Sequence, residues 1–213
     1  MNTTKKVQLS TDKIIDLPKT RLDEAIAVAC RAFFDYPTTT LMLPDQDERK
    51  EKIKYGFIPT FRYGIKYGIV HATSPNLEGI AIWLPPEKVH ISAWSMLRLG
   101  GFRAFRKSGL KVMKRGMPLF RYMGPAHERN APEKHWYLQT LAVDPIYQKK
   151  GYGGILIQKM CELIDEQKLP VYLETNTEEN VGFYQKYGFE VVEHLILPET
   201  DVPFWCMLRK AEK

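Results

Sequence analysis

The first part of the chain has the apolar spacing of helices. Apolar residues recur every three or four positions from residue 20, which predicts an amphipathic helix over 20–35 that ends before Pro37. A second apolar series predicts a helix over 47–67. Gly56 and Pro59 lie inside this second helix, so we expect it to be kinked.

The middle of the chain changes from a helical pattern to a strand pattern and back. Residues 69–73 and 77–84 are short apolar and β-branched runs joined by Ser-Pro-Asn, which is typical of a hairpin. The segment over about 88–125 mixes cations with large apolar residues and glycines, and we predict two short helices inserted there. A polar loop is predicted over 124–134.

The last third of the chain alternates strand and helix. We predict a strand, a helix, a strand, a helix and two final strands, at residues 136–143, 151–167, 171–174, 175–188, 189–197 and 204–209. Thr175 is the expected N-terminal cap of the helix over 175–188. Strand–helix–strand order is typical of parallel strands joined by a crossover helix. The sequence therefore predicts an α/β fold (α+β, with a mixed central sheet) covered by helices, in one domain over 1–213.

Composition narrows the class of protein without changing this fold. The 213 residues are 44% hydrophobic and 26% charged, which is ordinary for a globular protein and excludes disordered and collagen-like classes. The three cysteines lie far apart and form no C-x-x-C pair, so neither a disulfide framework nor a zinc knuckle is expected. Residues 1–17 lack the apolar run of a secretory signal, and no stretch approaches the ~20 apolar residues of a membrane span. We therefore expect a cytoplasmic protein.

The formal net charge of +6 is concentrated in one segment. From Lys88 to His127 the chain has nine Lys and Arg residues and no Asp or Glu. Trp94, Phe102 and Phe105 are interleaved with the cations, a mixture also found on surfaces that bind nucleic acid or anionic membranes. The alternative is a pair of amphipathic helices with a solvated cationic face, and we favour it. Nucleic acid and membrane are therefore not expected partners.

The strongest local motif lies between a predicted strand and a predicted helix, and reads Gln-Lys-Lys-Gly-Tyr-Gly-Gly over 148–154. Amides at a helix N-terminus point outward with a positive dipole, and glycines let a phosphate approach the backbone, so the motif is typical of pyrophosphate binding. The dinucleotide fingerprint is not met, because Leu156 stands where its third glycine belongs. The alternative is a glycine turn that only lets the strand meet the helix.

A second motif follows in the next strand and helix. Asn180 and Tyr184 are four positions apart and so share one helix face. The order of a strand, Gln-x-x-Gly-x-Gly, a helix, a strand, and then Asn with a following Phe-Tyr and Gly-Phe resembles the signature of the GNAT family of N-acetyltransferases. This resemblance covers Trp136–Phe189. Three further runs are similar to the puromycin N-acetyltransferase-like branch, at residues 82–86, 173–175 and 204–207.

The resemblance implies that two parallel strands, ending near Asp144 and Glu174, splay apart and bind acetyl-CoA between them. The pantetheine arm would add as a surrogate strand along the backbones of Leu141 and Val143. Within an acetyl-CoA-binding core over about 135–190, Asn180 would hold this arm near the sulfur, and Phe183 is a further expected contact. The resemblance also implies that backbone amides hold the pyrophosphate, at Gln148, Lys149, Lys150, Gly151, Tyr152, Gly153 and Gly154.

The reaction of this family implies two catalytic roles. An alkyl amine with a pKa near ~10.4 is mostly protonated at neutral pH, so a base must take its proton before it attacks the thioester. Glu174 at a strand end is the expected base, and the alternative is a capping or surface carboxylate. The departing thiolate needs a proton, which the neutral phenol of Tyr184 can supply, and the alternative is a core tyrosine.

The acceptor is expected to enter opposite acetyl-CoA, against a largely aromatic wall. Phe34, Tyr36, Trp83 and Trp205, with Phe204 beside it, are the candidate residues, and core packing is the alternative for each. Aromatic faces suit a small amine with an aromatic or hydrophobic body. The identity of the amine and the oligomeric state stay open.

No metal is expected, because the five histidines show neither H-x-H nor H-E-x-x-H spacing, and His135 is interpreted as structural. The sequence therefore predicts an N-acetyltransferase that moves an acetyl group from acetyl-CoA to a primary amine of a small molecule, by direct attack in a ternary complex. The alternative is an acyl-CoA-binding protein without catalysis whose basic helices engage an anionic partner. The presence of both Glu174 and Tyr184 favours catalysis.

Overall fold

A seven-stranded mixed sheet organises residues 9–211, the part of the chain that the computed structural model describes. Its strands are β1 (Ile15–Asp16), β2 (Ile69–Ala72), β3 (Gly79–Leu84), β4 (Trp136–Val143), β5 (Val171–Thr175), β6 (Phe189–Ile196) and β7 (Pro203–Arg209). They lie in the order β1-β2-β3-β4-β5-β7-β6, antiparallel except for the central pair β4 and β5. The predicted α/β fold with a mixed sheet covered by helices is confirmed.

The helices of the same region are α1 (Leu22–Ala32), α2 (Pro37–Met42), α3 (Gln46–Tyr67), α4 (Ala93–Met96), α5 (Phe102–Ser108), α6 (Leu110–Asn130), α7 (Tyr152–Glu166) and α8 (Glu178–Gln185). Asp45 and Thr177 cap α3 and α8, since each side chain accepts a hydrogen bond from an amide of the first turn. Between residues 9 and 211, no helix combines the length and the apolarity that crossing a membrane requires.

Alternate side chains of the strands face two different layers of helices. On β3, Ile80 and Ile82 join a core that contains residues of α1, α3 and α6. Ala81 and Trp83 point the other way and pack with α7. We call the side of α1, α3 and α6 the first face of the sheet, and the side of α7 and α8 the second face. The period of two along each strand therefore decides which layer a side chain joins.

The central parallel pair separates soon after it begins. β4 and β5 pair only at Trp136 with Val171 and at Tyr137 with Tyr172. The register of β4 against β3 also shifts, because Ile82 pairs with Thr140 and Trp83 with Leu138, so that the intervening residue of β4 is a bulge. Beyond this point β4 and β5 diverge, and a gap opens in the middle of the sheet, as the family resemblance implies.

The insertion between β3 and β4 differs from its predicted elements. The sequence predicts short helices followed by a polar loop over 124–134, whereas α6 runs on through Pro118 and Pro125. Leu119 and Ala126 lie two turns apart on its buried face. Tertiary burial of an amphipathic face supplies most of the stability of a helix in a protein, and here it outweighs the local cost of proline.

The boundaries of two predicted helices also differ from the sequence prediction. The first helix ends at Ala32, and the separate helix α2, which the sequence pattern does not reveal, begins at Pro37. The cap of α8 is Thr177, not Thr175 as predicted. Thr175 is still paired with Trp205 in the sheet, so its side chain is available to the gap and not to the helix.

Candidate active site

The gap between β4 and β5 contains a cavity of about 160 Å³. Both strands contribute to its wall, together with Phe33 of the α1–α2 region, Leu119 of α6 and Phe204 of β7. Because the gap passes between strands, residues of both faces reach it. The residues predicted from the sequence that the fold brings together here are Tyr36, Leu141, Glu174, Asn180 and Tyr184.

Glu174 is a buried carboxyl in the cavity wall. Its side chain is 7% exposed, and its Oε2 atom accepts a 2.7 Å hydrogen bond from the Tyr137 hydroxyl. Its Oε1 atom has no hydrogen-bond partner among the described residues. Burial raises the pKa of Glu174 from an ordinary 4.5 to about 7, although the bond from Tyr137 acts in the opposite direction. Glu174 is therefore not a surface carboxylate, which was the alternative left open by the sequence. Its carboxyl group can accept and release a proton near neutral pH.

Two buried histidines extend from Glu174. His127 Nδ1 lies 3.6 Å from Glu174 Oε1, and His127 Nε2 lies 2.7 Å from His135 Nε2. The carbonyl of Pro132 can only accept, so its 2.6 Å contact with His135 Nδ1 assigns the proton to that nitrogen. His127 then donates from Nε2 and presents a bare Nδ1 to the carboxyl. Burial, and then the charges of His135 and His90, lower the pKa of His127 to about 3, so this ring is neutral.

Sequence reasoning missed His127 as a member of the site, because no spacing rule links it to Glu174. The two residues meet only because the long helix α6 lies across the first face of the sheet. The sequence pattern likewise identifies Tyr137 only as a strand residue. Among residues 9–211, no group of three or more His, Cys, Asp or Glu side chains is arranged to hold a metal ion.

Tyr184 presents its phenol to the same cavity from α8. The residue is buried, and its ring packs edge-on against Phe183 and Phe189, with ring centres 5.2 and 5.7 Å away. Burial, with a smaller contribution from Tyr36, raises the pKa of Tyr184 well above its ordinary value. The phenol therefore stays protonated at neutral pH and can donate to an anion that develops in the cavity.

Tyr36 ties the chain between α1 and α2 to the end of β5. Its hydroxyl lies 3.0 Å from the Thr175 hydroxyl and accepts a 2.8 Å hydrogen bond from the Asn176 amide. The side-chain amide of Asn180 donates to the same Thr175 oxygen over 3.1 Å. The Tyr36 ring is therefore held firmly in the cavity wall, and Asn180 keeps its side-chain oxygen available as an acceptor.

The predicted pyrophosphate loop leads into the N-terminus of α7. Gly151 adopts a φ of 91°, a left-handed conformation that favours glycine, and turns the chain into the helix. The first amides of α7 have no acceptor inside the helix. Lys149 and Lys150 are exposed beside them, and the Gln148 side chain donates to the Val143 carbonyl. An anion at this end would meet outward N–H groups and two cations.

Gly153 and Gly154 serve helix packing, a role that the sequence pattern does not reveal. A Cβ on Gly153 would lie 3.2 Å from the Phe183 ring, and one on Gly154 would collide with the Tyr187 hydroxyl. Both glycines are buried. Glycine is needed at these two positions because α7 packs closely against α8 and the turn that follows it. Phosphate binding at this loop would therefore depend on the backbone amides.

Two of the predicted acceptor-wall residues lie on the wrong side of the sheet. Trp83 has no exposed surface and packs with α7 on the second face. Trp205 also points to the second face, where its ring stacks on His194 at 4.5 Å between ring centres. Neither residue lines the cavity, so the prediction is wrong for both. The physical reason is the alternation of a strand, which sends each of these side chains away from the first face.

A third acceptor-wall residue, Phe34, lies outside the cavity. Its ring packs against the guanidinium of Arg49, with the central carbon 5.1 Å from the ring centre, and lines a separate groove. The residues that do line the cavity are its neighbour Phe33 and, on β7, Phe204. An aromatic wall is therefore present: Tyr36 and Phe204 are among its predicted members, and Phe33 takes the place predicted for its neighbour Phe34.

Comparisons with known proteins agree with this architecture. A family model described as an acetyltransferase (GNAT) domain matches residues 119–191. An uncharacterized N-acetyltransferase of Schizosaccharomyces pombe is 26% identical over 198 residues, which cover 89% of this chain and 79% of that protein. A solved structure from Corynebacterium glutamicum, titled histone acetyltransferase HPA2 and related acetyltransferase, is 19% identical with a TM-score of 0.62, covering 94% of this chain and 97% of the other.

A second solved structure shows the same fold at lower identity. The arylalkylamine N-acetyltransferase 2 of Aedes aegypti is 12% identical with a TM-score of 0.59, covering 93% of this chain and 98% of that one. At such identities the likeness concerns the fold alone. The chain therefore contains a GNAT acetyltransferase domain over residues 119–191, and the splayed pair β4 and β5 agrees with it.

Proposed function

We propose that this enzyme transfers the acetyl group of acetyl-CoA to a primary amine of a small molecule, by direct attack in a ternary complex. The observation that carries the proposal is that Glu174, with a pKa near 7, and the protonated phenol of Tyr184 line one cavity between diverging strands. Burying an ionisable carboxyl without a charged partner costs stability, and proton transfer is a function that accounts for this cost.

The gap between β4 and β5 is the proposed acetyl-CoA site. Beyond Tyr137, the edge of β4 that faces the gap pairs with no strand. A pantetheine arm carries two amides and can pair with such an edge as an added strand, here along Leu141 and Val143. The outward amides of α7, with Lys149 and Lys150, would receive the pyrophosphate. Asn180 would accept a hydrogen bond from the arm through its free side-chain oxygen.

The two titratable groups divide the chemistry. Glu174 takes a proton from the bound ammonium, and the neutral amine attacks the thioester carbonyl, so that a C–N bond forms and the C–S bond then breaks. Tyr184 gives its proton to the departing thiolate. When Glu174 is protonated, the bare Nδ1 atom of His127 is placed to accept a hydrogen bond from it, which stabilises the protonated carboxyl and so makes Glu174 a stronger base.

The acceptor is proposed to be an amine with an aromatic or hydrophobic body. One wall of the cavity is largely apolar and is formed by Phe33, Tyr36, Leu119 and Phe204. Glu174 contributes a carboxyl group to the same cavity. Such a wall binds flat or apolar groups and gives little to a chain of several cations. The name of the Aedes aegypti enzyme makes arylalkylamines the first class of acceptor to test.

A panel of amines tests the proposal. Thiol release from acetyl-CoA is followed with 2-phenylethylamine, a long-chain alkylamine, spermidine and a lysine-rich peptide, and each product is checked by mass spectrometry. We expect the aromatic and alkyl amines to have kcat/KM values at least about 10-fold above those of spermidine and the peptide. Preference for spermidine or the peptide would refute the acceptor class, and thiol release with no acetylated amine would refute transfer to an amine.

A further inference from the structure

The insertion between β3 and β4 carries an unusual concentration of exposed apolar side chains. Twelve large hydrophobic residues are exposed in the described part of the chain, and seven of them lie between Trp94 and Phe120. This group contains all four exposed Trp and Phe residues, namely Trp94, Phe102, Phe105 and Phe120. Trp94 is 68% exposed and Phe102 is 61% exposed. A patch of this kind on one segment marks an interaction surface.

These apolar side chains form stripes on their helices. On α6, Leu110, Met117 and Phe120 fall on one side of the helix, because they are seven and ten positions apart. The opposite side of α6 is buried against the protein, at positions such as Leu119. On α5, Phe102 and Phe105 are three positions apart and share a face, so both helices expose an apolar stripe that the fold leaves uncovered.

Unpaired cations are interleaved with the exposed apolar residues along the same segment. Eight Lys and Arg residues lie between Arg98 and Arg121, and seven of them are exposed. Arg115 is the exception, since it is partly buried and lies 3.4 Å from Glu48. None of the seven exposed cations forms an ion pair with a carboxylate of residues 9–211, and this stretch contains no Asp or Glu. We call the exposed apolar and cationic residues of 94–121 the basic aromatic patch.

We propose that the basic aromatic patch docks the enzyme onto an anionic lipid bilayer, with its apolar stripes in the interface and its cations against the headgroups. Helices that lie in a membrane surface typically have Trp, Phe and Leu on one side, with Lys and Arg beside them. A bilayer with anionic lipids satisfies both halves of the patch at once, since it supplies apolar depth and negative charge. The exposed apolar residues reverse the expectation from the sequence that a membrane is not a partner. This inference goes beyond the acetyl transfer proposed above and does not depend on it.

Two other occupants satisfy only part of the patch. A second copy of the chain would place the same patch opposite itself, because a two-fold interface is self-complementary, and the exposed cations would then face each other. A nucleic acid would neutralise the cations and could stack on aromatic rings, but it offers no apolar layer for Leu110 and Met117. Charge and apolarity together therefore favour the bilayer.

Vesicle flotation with the full chain tests this proposal. Vesicles of phosphatidylcholine alone are compared with vesicles that contain about 30 mol% phosphatidylserine, at low salt and at about 0.5 M NaCl. We expect at least about 10-fold more protein on the anionic vesicles, and a large loss of that binding at high salt. Equal recovery on both kinds of vesicle, or no recovery on either, would overturn the proposal.

Paired variants separate the apolar from the ionic half of the patch. Phe102→Ser with Phe105→Ser should lower binding to the anionic vesicles about 10-fold or more, because both rings leave the interface. Leu163→Ser, at an exposed apolar position of α7 outside the patch, should leave binding unchanged. Binding that survives the double substitution would overturn insertion of the aromatic stripe. A stable dimer that this substitution dissolves, or a preference for single-stranded RNA over the vesicles in competition, would overturn the choice of a bilayer.

Discussion

Replacing Glu174 by Gln separates the chemical role of this carboxyl from its cost to stability. Gln keeps the shape of the side chain and an acceptor for the Tyr137 hydroxyl, and its NH₂ group can donate to the bare Nδ1 atom of His127. It cannot take a proton from an amine. We therefore expect kcat to fall about 10²-fold to 10⁴-fold, as for the loss of a general base. Glu162→Gln, at an exposed position of α7, is the matched control.

The same substitution should stabilise the protein at high pH. Raising the pKa of Glu174 from 4.5 to about 7 means that ionisation in the folded state costs about 3 kcal/mol, at about 1.36 kcal/mol per pKa unit. The folded state holds this proton more tightly than the unfolded state, so stability falls as the pH rises from about 4.5 through about 7. The Gln variant does not bear this cost. Its free energy of unfolding should exceed that of the wild type by up to about 3 kcal/mol above pH 8, and by little near pH 5.

Two assays together decide whether this reasoning is right. Urea unfolding at low and high pH measures stability, and thiol release with saturating 2-phenylethylamine, which binds as an ammonium, measures kcat. The wild-type kcat should rise with pH and level off around an apparent pKa of about 7, and the variant should lack this rise. A variant that keeps the wild-type kcat would refute the role of the base. A variant that is less stable than the wild type at high pH would refute the raised pKa.

Three further substitutions test other parts of the site. Tyr184→Phe should lower kcat about 10²-fold or more with little change in acetyl-CoA affinity, because only the donated proton is lost. Tyr55→Phe on α3 is its control. A wild-type kcat in the Tyr184→Phe variant, measured where chemistry limits the rate, would show that water supplies the proton. Tyr36→Ala should raise the KM of the amine about 10-fold and leave the KM of acetyl-CoA unchanged. Tyr36→Phe keeps the ring but loses the hydroxyl that holds it, so it should raise the KM of the amine much less. Equal effects of Tyr36→Ala on both KM values would contradict an acceptor role. The double substitution Lys149→Gln with Lys150→Gln should raise the KM of acetyl-CoA several-fold. It should leave the KM of acetyl-pantetheine, which lacks the nucleotide, unaltered. A rise in KM for both acetyl donors would contradict a phosphate-binding role of the two lysines.

The sequence predicted the sheet well, because its strands are bounded by clear turn signals and separated by helices of ordinary length. The strand over 136–143 and the helix that follows Gly151 agree with the structure at almost every residue. The long helix α6 could not be predicted, because its stability depends on what it buries and not on its own residues. Pro118 and Pro125 lie inside this helix, where tertiary contact allows it to continue.

The site was predicted in its motifs and missed where it depends on tertiary structure. Glu174 and Tyr184 follow from the family pattern, and the structure places both in one cavity. Trp83 and Trp205 were misplaced, because one residue along a strand changes the face of the sheet, and composition does not reveal the register. His127 could not be connected to Glu174 from the sequence, since their contact joins two elements that only the fold brings together.

The central claim is that acetyl-CoA pairs with the open edge of β4 as an added strand. Amide hydrogen exchange of the full chain, with and without acetyl-CoA, measures this directly. We expect the amides of 139–143 that face the gap, and those of the first turn of α7, to exchange at least about 10-fold more slowly with saturating acetyl-CoA, because each gains an acceptor. The amides of β2, at the far side of the sheet, should not change. Binding of acetyl-CoA that leaves the amides of 139–143 as fast as before would contradict the account.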